Sequence, residues 1–406
     1  MRLRVHTQRL GSLEVELRSK SGGSLTTAFA VAAPGLETFV AAELEGLRIR
    51  GANVLDGGVE FTATRRQLYE ANLQLRTASR VLVRLAQFRA LTFAELEKRA
   101  RTIPWETVLA PGKPVSLRVT CRKSRLYHSD AVAERIARDL AARFDSRATT
   151  TSEEDGERVS NSQLIVVRFD HDRCTVSADS SGAHLHQRGY RTSVTQAPMR
   201  ETLAAALIIA SGWDRRSPLY DPFCGSGTIP IEAAMMAAGI APGRSRSFRF
   251  EAWPGFDRKL WDELRAEAAK SERRKSLPAI SGSDRSAAAI RASRDNAERA
   301  GVANLVELEK LDAEEAGYDQ SHGWIVSNPP YGVRLGDSRD AARLLSSFGE
   351  VLHQRFAGWH VGILAPTQLD RTLGFRLESR SKTTNGGLRV QIFTGTVPVN
   401  RPASVG

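Results

Sequence analysis

The chain has 406 residues, 41% of them hydrophobic, enough for roughly two or three packed domains, so small size does not force it to rely on disulfides or metals. Its three cysteines, Cys121, Cys174 and Cys224, show no C-x-x-C spacing, which argues against a zinc site and for a reducing, cytoplasmic setting; no segment has the apolar run of a signal peptide or a membrane span. Lysine and arginine total 58 against 46 acidic residues, a formal charge of +12 that favours a polyanionic partner, nucleic acid first.

Residues 1–24 are charged and close on Ser21-Gly22-Gly23-Ser24, a basic flexible tail by composition. TTAFAVAAPG then reads as a buried strand, LETFVAAELEGL as an amphipathic helix and GGVEFTA as a strand, followed by RRQLYEANLQLRTASRVLVRLAQF, a helix running into a strand. This is a small α+β module over residues 25–88. A second module, 89–182, runs LTFAELEKRARTI (helix), KPVSLRVTCRK (strand), HSDAVAERIARDLAARF (helix) and QLIVVRFDHDRCTVSADSS (two strands). Its segment CRKSRLYH, basic with an embedded tyrosine, is a candidate nucleic-acid contact or an ordinary solvated loop.

GAHLHQRGYRTSVTQAPMRE reads as a linker into the helix ETLAAALIIASGW. From Arg200 onward strands and helices alternate, which predicts a mostly parallel sheet covered on both faces, with the loops after PLY, SGS, KLD and IVS converging on one site. An insertion, RSRSFRFEAWPGFDRKLWDELRAEAAKSERRKS, ends in a run of charges that reads as a solvated helix face.

The first strand of this half ends in 221-DPFCGSGT-228, so Asp221, Pro222, Phe223, Cys224, Gly225, Gly227 and Thr228 are candidate cofactor-loop residues. Glycines there allow a tight turn and close approach of a ligand, but the loop is neither G-x-G-x-x-G nor followed by a P-loop lysine, so a dinucleotide or triphosphate fits poorly. Asp284, ending the next strand, can accept hydrogen bonds from both hydroxyls of a ribose, and Asp312, ending the one after, from the exocyclic amine of an adenine. Together these describe an adenosine ligand without phosphates, which S-adenosylmethionine satisfies. Cys224 lacks a nearby histidine or basic partner in sequence and reads as a loop-packing residue rather than a nucleophile.

In 326-VSNPPYG-332, the Asn328 side-chain oxygen and the Pro329 carbonyl can each accept one N–H of an amine conjugated to an aromatic base, aiming its lone pair at an electrophilic methyl. Pro329 and Pro330 stiffen the backbone and Tyr331 offers a stacking face. An alkylated amine sheds its proton readily, so no general base is required.

DPFCGSGT with SNPPYG resembles class I S-adenosylmethionine-dependent methyltransferases that modify exocyclic amines. With HQRGYR, APMRETLAAALI and FAVAAPGLETFVAAEL added, the chain after its tail looks like the THUMP-domain RNA guanine-N2 methyltransferases, nearest the RlmL-type enzymes of bacterial large-subunit ribosomal RNA and next the tRNA-modifying TrmN group. The resemblance implies an α/β fold: a ferredoxin-like module (25–88), a THUMP RNA-binding domain (89–182) and a Rossmann-like methyltransferase domain (183–406). It places Arg200, Glu201 and Thr202 over the methionine end of the cofactor, and implies transfer to guanosine N2 in 23S ribosomal RNA, with tRNA or an adenine-N6 target in DNA or RNA as alternatives. A single modification is expected, since some relatives fuse a second methyltransferase domain that is not seen here, and a monomer is the default expectation. Two other classes stand against this reading: a non-catalytic RNA-binding protein, disfavoured by the intact glycine loop and Asn328, and a nicotinamide-dependent oxidoreductase, disfavoured by the absent G-x-G-x-x-G.

Overall fold

Period-two alternation builds the first half of the chain into one sheet. The computed structural model describes residues 25–151, 161–191, 199–273, 275–330 and 338–399; the N-terminal tail and Tyr331 lie outside them. In chain order come β1 (Thr26–Val31), α1 (Glu37–Gly46), β2 (Asn53–Leu55), β3 (Gly58–Ala63), α2 (Arg65–Gln74) and β4 (Arg80–Arg89). They are followed by α3 (Phe93–Ala100), β5 (Val115–Arg122), α4 (Ser129–Phe144), β6 (Ala148–Thr150), β7 (Gln163–Asp170) and β8 (Arg173–Asp179). The strand order is β2-β3-β1-β4-β8-β7-β5-β6. β4 is antiparallel to β1 along its first half and to β8 along most of its length, so both sequence modules contribute to a single sheet. Inward residues such as Val81 and Val83 pack with α1 and α2, whereas Val167, Val176 and Ala178 pack with α3 and α4. Thr64 and Gln67 form a reciprocal capping box that fixes where α2 starts.

The second half is α5 (Glu201–Ala210), β9 (Leu219–Asp221), α6 (Thr228–Ala237), α7 (Arg258–Lys270), β10 (Ile280–Asp284), α8 (Ala287–Arg299), β11 (Glu307–Lys310), β12 (Trp324–Ser327), α9 (Ser338–Arg355), β13 (His360–Ala365), α10 (Asp370–Leu373), β14 (Glu378–Asn385) and β15 (Leu388–Thr396). Its sheet runs β11-β10-β9-β12-β13-β15-β14, parallel through β13, with β15 antiparallel between β13 and β14. β10 lies on one side of β9 and β12 on the other, so the order reverses at β9 and a crevice opens beyond the carboxyl ends of these strands. α5 and α6 are buried almost all round, as their continuous apolar sequences require.

Two stretches do more than their composition suggests. In the insertion the charges of α7 do face solvent, but Trp261 and Leu264, three residues apart, are buried in the core beneath α1 and α2. Trp261 is 1% exposed and stands edge-on to Phe250, ring centroids 5.2 Å apart, while Phe250 stacks on Tyr69 at 4.3 Å. The stretch with a linker's composition is likewise built in. Arg188, 3% exposed, donates to the carbonyls of Leu185 and Arg76 and lies 3.4 Å from the Glu232 carboxylate of α6. Arg76 approaches the same carboxylate at 3.9 Å, and Arg299 of α8 holds the Tyr190 carbonyl. Arg246 ties the insertion to the same segment through the carbonyls of Ser181, Ala183 and His184. Among the described residues no helix is long and apolar enough to cross a membrane, and no group of three His, Cys, Asp or Glu could hold a metal ion.

The aromatic stack makes the insertion a structural part of the N-terminal half. Trp261→Ala is expected to lower stability by ~3–5 kcal/mol in denaturant unfolding. Trp261→Phe should retain most of it, because the buried indole N–H has no hydrogen-bond partner among the described residues.

Candidate active site

The loop between β9 and α6 needs its glycines for shape. Gly225 and Gly227 adopt φ of +53° and +80°, and a Cβ on Gly227 would also sit 3.0 Å from the Ser293 Cβ. The loop lies directly on β10: a Cβ on Gly282 would come within 2.9 Å of the Cys224 Cβ and 2.8 Å of Pro230 Cγ. Two side chains of α8 hold it from behind. Ser293 Oγ donates to the Gly225 carbonyl at 2.6 Å, and Asn296 Nδ2 to the Ser226 carbonyl at 3.0 Å, which turns both carbonyls toward α8. Neither residue stands out in the sequence; their i, i+3 spacing on an otherwise amphipathic helix is the only signal.

Asp284 reaches across to this loop. Its Oδ2 accepts the Gly225 N–H at 3.1 Å and its Oδ1 the Ser286 N–H at 2.8 Å, while each oxygen keeps lone-pair capacity for a ribose hydroxyl. Asp312 follows β11, half-buried, and its Oδ1 accepts the Glu314 N–H at 3.2 Å. The backbone joins the two, Leu311 N–H donating to the Asp284 carbonyl at 3.3 Å. Both carboxylates therefore stand at the edge of the crevice, on neighbouring strands.

Asp221 is 1% exposed and acts inside the fold. Its Oδ1 accepts the Ser327 hydroxyl at 2.6 Å and the Phe223 N–H at 3.1 Å, joining the glycine loop to the end of β12. Burial, with the nearby Asp284 carboxylate adding to it, pushes the Asp221 carboxyl up to about 7. Pro222 is buried, and the half-buried Phe223 meets Phe348 of α9 edge-on at 5.1 Å. Cys224 is 6% exposed, and burial beside two carboxylates pushes its thiol far above its ordinary value, which agrees with a packing role.

Asn328 comes immediately after Ser327. Its Oδ1 is buried and has no hydrogen-bond partner among the described residues. An unmet buried acceptor ordinarily costs ~1–3 kcal/mol, so one standing at the mouth of a crevice points to a ligand donor. Pro329 beside it is buried and Pro330 half-buried.

At the start of α5, Arg200 is exposed, whereas Glu201 and Thr202 are 3% and 7% exposed. Arg191, the last residue of HQRGYR and given no role from the sequence, links α5 to the glycine loop: its Nη2 donates to Thr228 Oγ1 at 2.6 Å and to the Met199 carbonyl at 3.0 Å, and its Nε lies 3.7 Å from Glu201 Oε1. Glu201 Oε2 is buried without a partner among the described residues, and burial pushes this carboxyl up to about 6. Open acceptors at Glu201 and Asn328, with a glycine cradle and Asp284 between the strands, fit a cofactor bearing an ammonium group and a ribose, and a target bearing an amine.

Comparisons with known proteins agree with this geometry. Residues 188–387 match an RMKL-like methyltransferase domain and residues 27–82 an RlmL ferredoxin-like domain. A candidate RNA methyltransferase of Synechocystis, slr0064, is 33% identical over 89% of this chain and 94% of its own length. The ribosomal RNA large subunit methyltransferase K/L of Psychromonas ingrahamii is 36% identical over 92% of this chain, which spans about half (51%) of that protein. A crystal structure of SMU.472, a candidate methyltransferase complexed with S-adenosylhomocysteine, superposes with a TM-score of 0.81 at 30% identity, covering 93% of this chain and 99% of that one. A Listeria monocytogenes protein described as a predicted N6-adenine-specific DNA methylase gives 0.78 at 32% identity, covering 92% and 97%.

The Asp221 clamp has a pH signature. With the folded pKa raised above the unfolded value, the folded protein holds this proton more tightly, so the contribution to stability is full below about pH 4 and is lost as pH rises toward about 7. Unfolding free energies of the wild type relative to Asp221→Asn should therefore fall across that window, by at most ~1.4 kcal/mol per pH unit, and level off above it.

Proposed function

The chain belongs to the RlmL-like family of S-adenosylmethionine-dependent RNA methyltransferases, and we propose that it methylates the exocyclic N2 amine of a guanosine in RNA, large-subunit ribosomal RNA first. The observation that carries the reading is the buried, unpartnered Asn328 Oδ1 at the carboxyl end of β12.

When bound, S-adenosylmethionine supplies an electrophilic methyl group. Asp284 would hold the ribose hydroxyls and Asp312 the adenine amine. Glu201 Oε2 would accept from the ammonium at the methionine end, next to Arg200 and Thr202, and the loop from Asp221 to Thr228 would enclose the rest. The target amine is a weak nucleophile because its lone pair is delocalised into the base. Asn328 Oδ1 and the Pro329 carbonyl each accept one of its N–H groups, which fixes the nitrogen and directs the lone pair out of the ring plane. Pro330 keeps the carbonyl rigid, and Tyr331 offers its ring to the base. The proton released on alkylation leaves to solvent.

RNA as substrate is supported by the +12 charge and by the names of the relatives, and ribosomal RNA by the K/L enzymes, with tRNA the next candidate. In this reading residues 89–182 serve as a THUMP RNA-binding module between the ferredoxin-like module (25–88) and the methyltransferase domain (183–406), and the protein works as a monomer in the cytoplasm. The description of the Listeria neighbour favours a second reading, adenine N6, because the asparagine and proline acceptors suit any exocyclic amine.

Methyl-labelled S-adenosylmethionine incubated with unmodified large-subunit ribosomal RNA, tRNA and DNA, followed by nucleoside analysis, separates these outcomes. Label in N2-methylguanosine from ribosomal RNA is expected; label in N6-methyladenine would move the reading to the second. Asn328→Ala is expected to lower kcat by about 100-fold or more while the Kd for S-adenosylmethionine changes little. Loss of both together would give the asparagine a structural role instead.

A further inference from the structure

Cross-strand register places arginines in rows on one face of the first sheet. Residues directly opposite in neighbouring strands share a face. Across β5, β7, β8 and β4, Arg118 aligns with Val166, Ser177 and Arg84. The next row on that face contains Arg168, and the one after contains Arg122, Arg173 and Arg89. The alternate residues, Val119, Val167, Val176 and Phe88 among them, face the other way and pack under α3 and α4. A bulge between Arg84 and Ala86 keeps the outward alternation of β4 in step.

Arg89, Arg122, Arg168 and Arg173 are exposed. Carboxylates are fewer here: Glu60 pairs with Arg84 at 3.4 Å, Asp172 lies 3.9 Å from Arg89, and Asp170 stands opposite Arg122 and Arg173. Beyond the last row Tyr127 is 68% exposed, its ring 4.0 Å from that of His128.

At its other end the face runs toward the cofactor crevice. The segment after β8 is anchored there, Leu185 N–H donating to the Ser79 carbonyl at 2.8 Å. His184 lies in the combined field of Arg80, Arg118 and Arg200, and burial together with these cations pushes its imidazole down to about 2. Arg200 is the residue preceding α5, beside Glu201. Arg118 of the sheet and Arg200 at the start of α5 therefore both act on one imidazole that lies between them.

We propose that this open sheet face is the track for the RNA strand flanking the target nucleotide, its phosphates meeting Arg122, Arg173, Arg168 and Arg118 in turn before the strand reaches Arg200. The inference rests on the RNA reading above. Successive rows on this face are two residues, roughly 6.6 Å, apart, and their arginines offer forked donors suited to phosphate oxygens rather than to base edges. The exposed tyrosine adds a stacking surface that tolerates any base.

The test is fluorescence anisotropy of an unmodified single-stranded ribosomal RNA fragment over a KCl series, with methyl transfer to the same RNA measured in parallel. Arg122→Gln/Arg168→Gln/Arg173→Gln changes only exposed side chains and is expected to melt like the wild type. Removing three phosphate contacts should reduce the slope of log K against log[KCl] by about 2, raise the KM for RNA at least tenfold and leave cofactor affinity unchanged. An unchanged slope and KM would overturn the track, and if the wild type methylates this RNA the catalytic reading survives. A reduced slope in a protein that transfers no methyl group would support the track and sink that reading. Wild-type protein that binds poly-glutamate but not RNA would overturn it in favour of an acidic protein partner.

Discussion

A carboxylic acid sealed at the point where a parallel sheet reverses its strand order is the constraint around which the catalytic half is arranged. Two donors, the Ser327 hydroxyl and the Phe223 amide, share one oxygen of Asp221. One donor belongs to the end of β12 and the other to the loop leaving β9. A single side chain thus sets the relative position of the glycine cradle and of Asn328, one residue beyond the serine. Group transfer between two bound molecules depends on that spacing, since a misplacement of about 1 Å at the reacting atoms can cost on the order of 100-fold in rate. α8 completes the arrangement by fixing the peptide planes of Gly225 and Ser226 from the opposite side.

The two halves are joined by buried charge rather than by a loose tether. Glu232 is fully buried on α6 and faces Arg188 from the connecting segment and Arg76 from the N-terminal half. Burying such a group is costly unless its partners are in place, so wrong relative placements of the halves are penalised by several kcal/mol, roughly the cost of stranding a buried ion. Since α6 begins at Thr228, which Arg191 holds, the placement of the N-terminal half is transmitted to the cofactor loop through rigid elements.

Much of this is legible in the sequence wherever the signal is local. Alternating strands and helices imply the parallel sheet, and loop chemistry at the strand ends points to Asp284, Asp312 and the glycine turn, which the structure gathers at one crevice. The Asn-Pro-Pro stretch announces its acceptors for the same reason. What is not legible depends on register between distant segments. Ser327 reads as one more small residue at a strand end until it is placed against Asp221. Ser293 and Asn296 are ordinary polar residues of a helix until the glycine loop lies on them. Trp261 and Leu264 are too few, among too many charges, to show by periodicity that α7 closes a core. Arg188 and Tyr190 sit in a glycine-containing, basic stretch whose composition is that of a linker, and only the buried Glu232 explains them.

The antiparallel pairing of β4 on both edges has a consequence for how the polypeptide is made. β1 precedes β4 in the chain and can pair with it at once, but β8 spans Arg173–Asp179, so the second edge of a ten-residue strand stays unmatched while some eighty further residues are synthesised. During that interval the nascent chain presents an apolar hydrogen-bonding edge, the kind that recruits other chains. The arginines at positions 80, 84 and 89 punctuate that edge with like charge. In the growing chain they would act as gatekeepers against intermolecular association, before the sheet is complete and they acquire neighbours of their own.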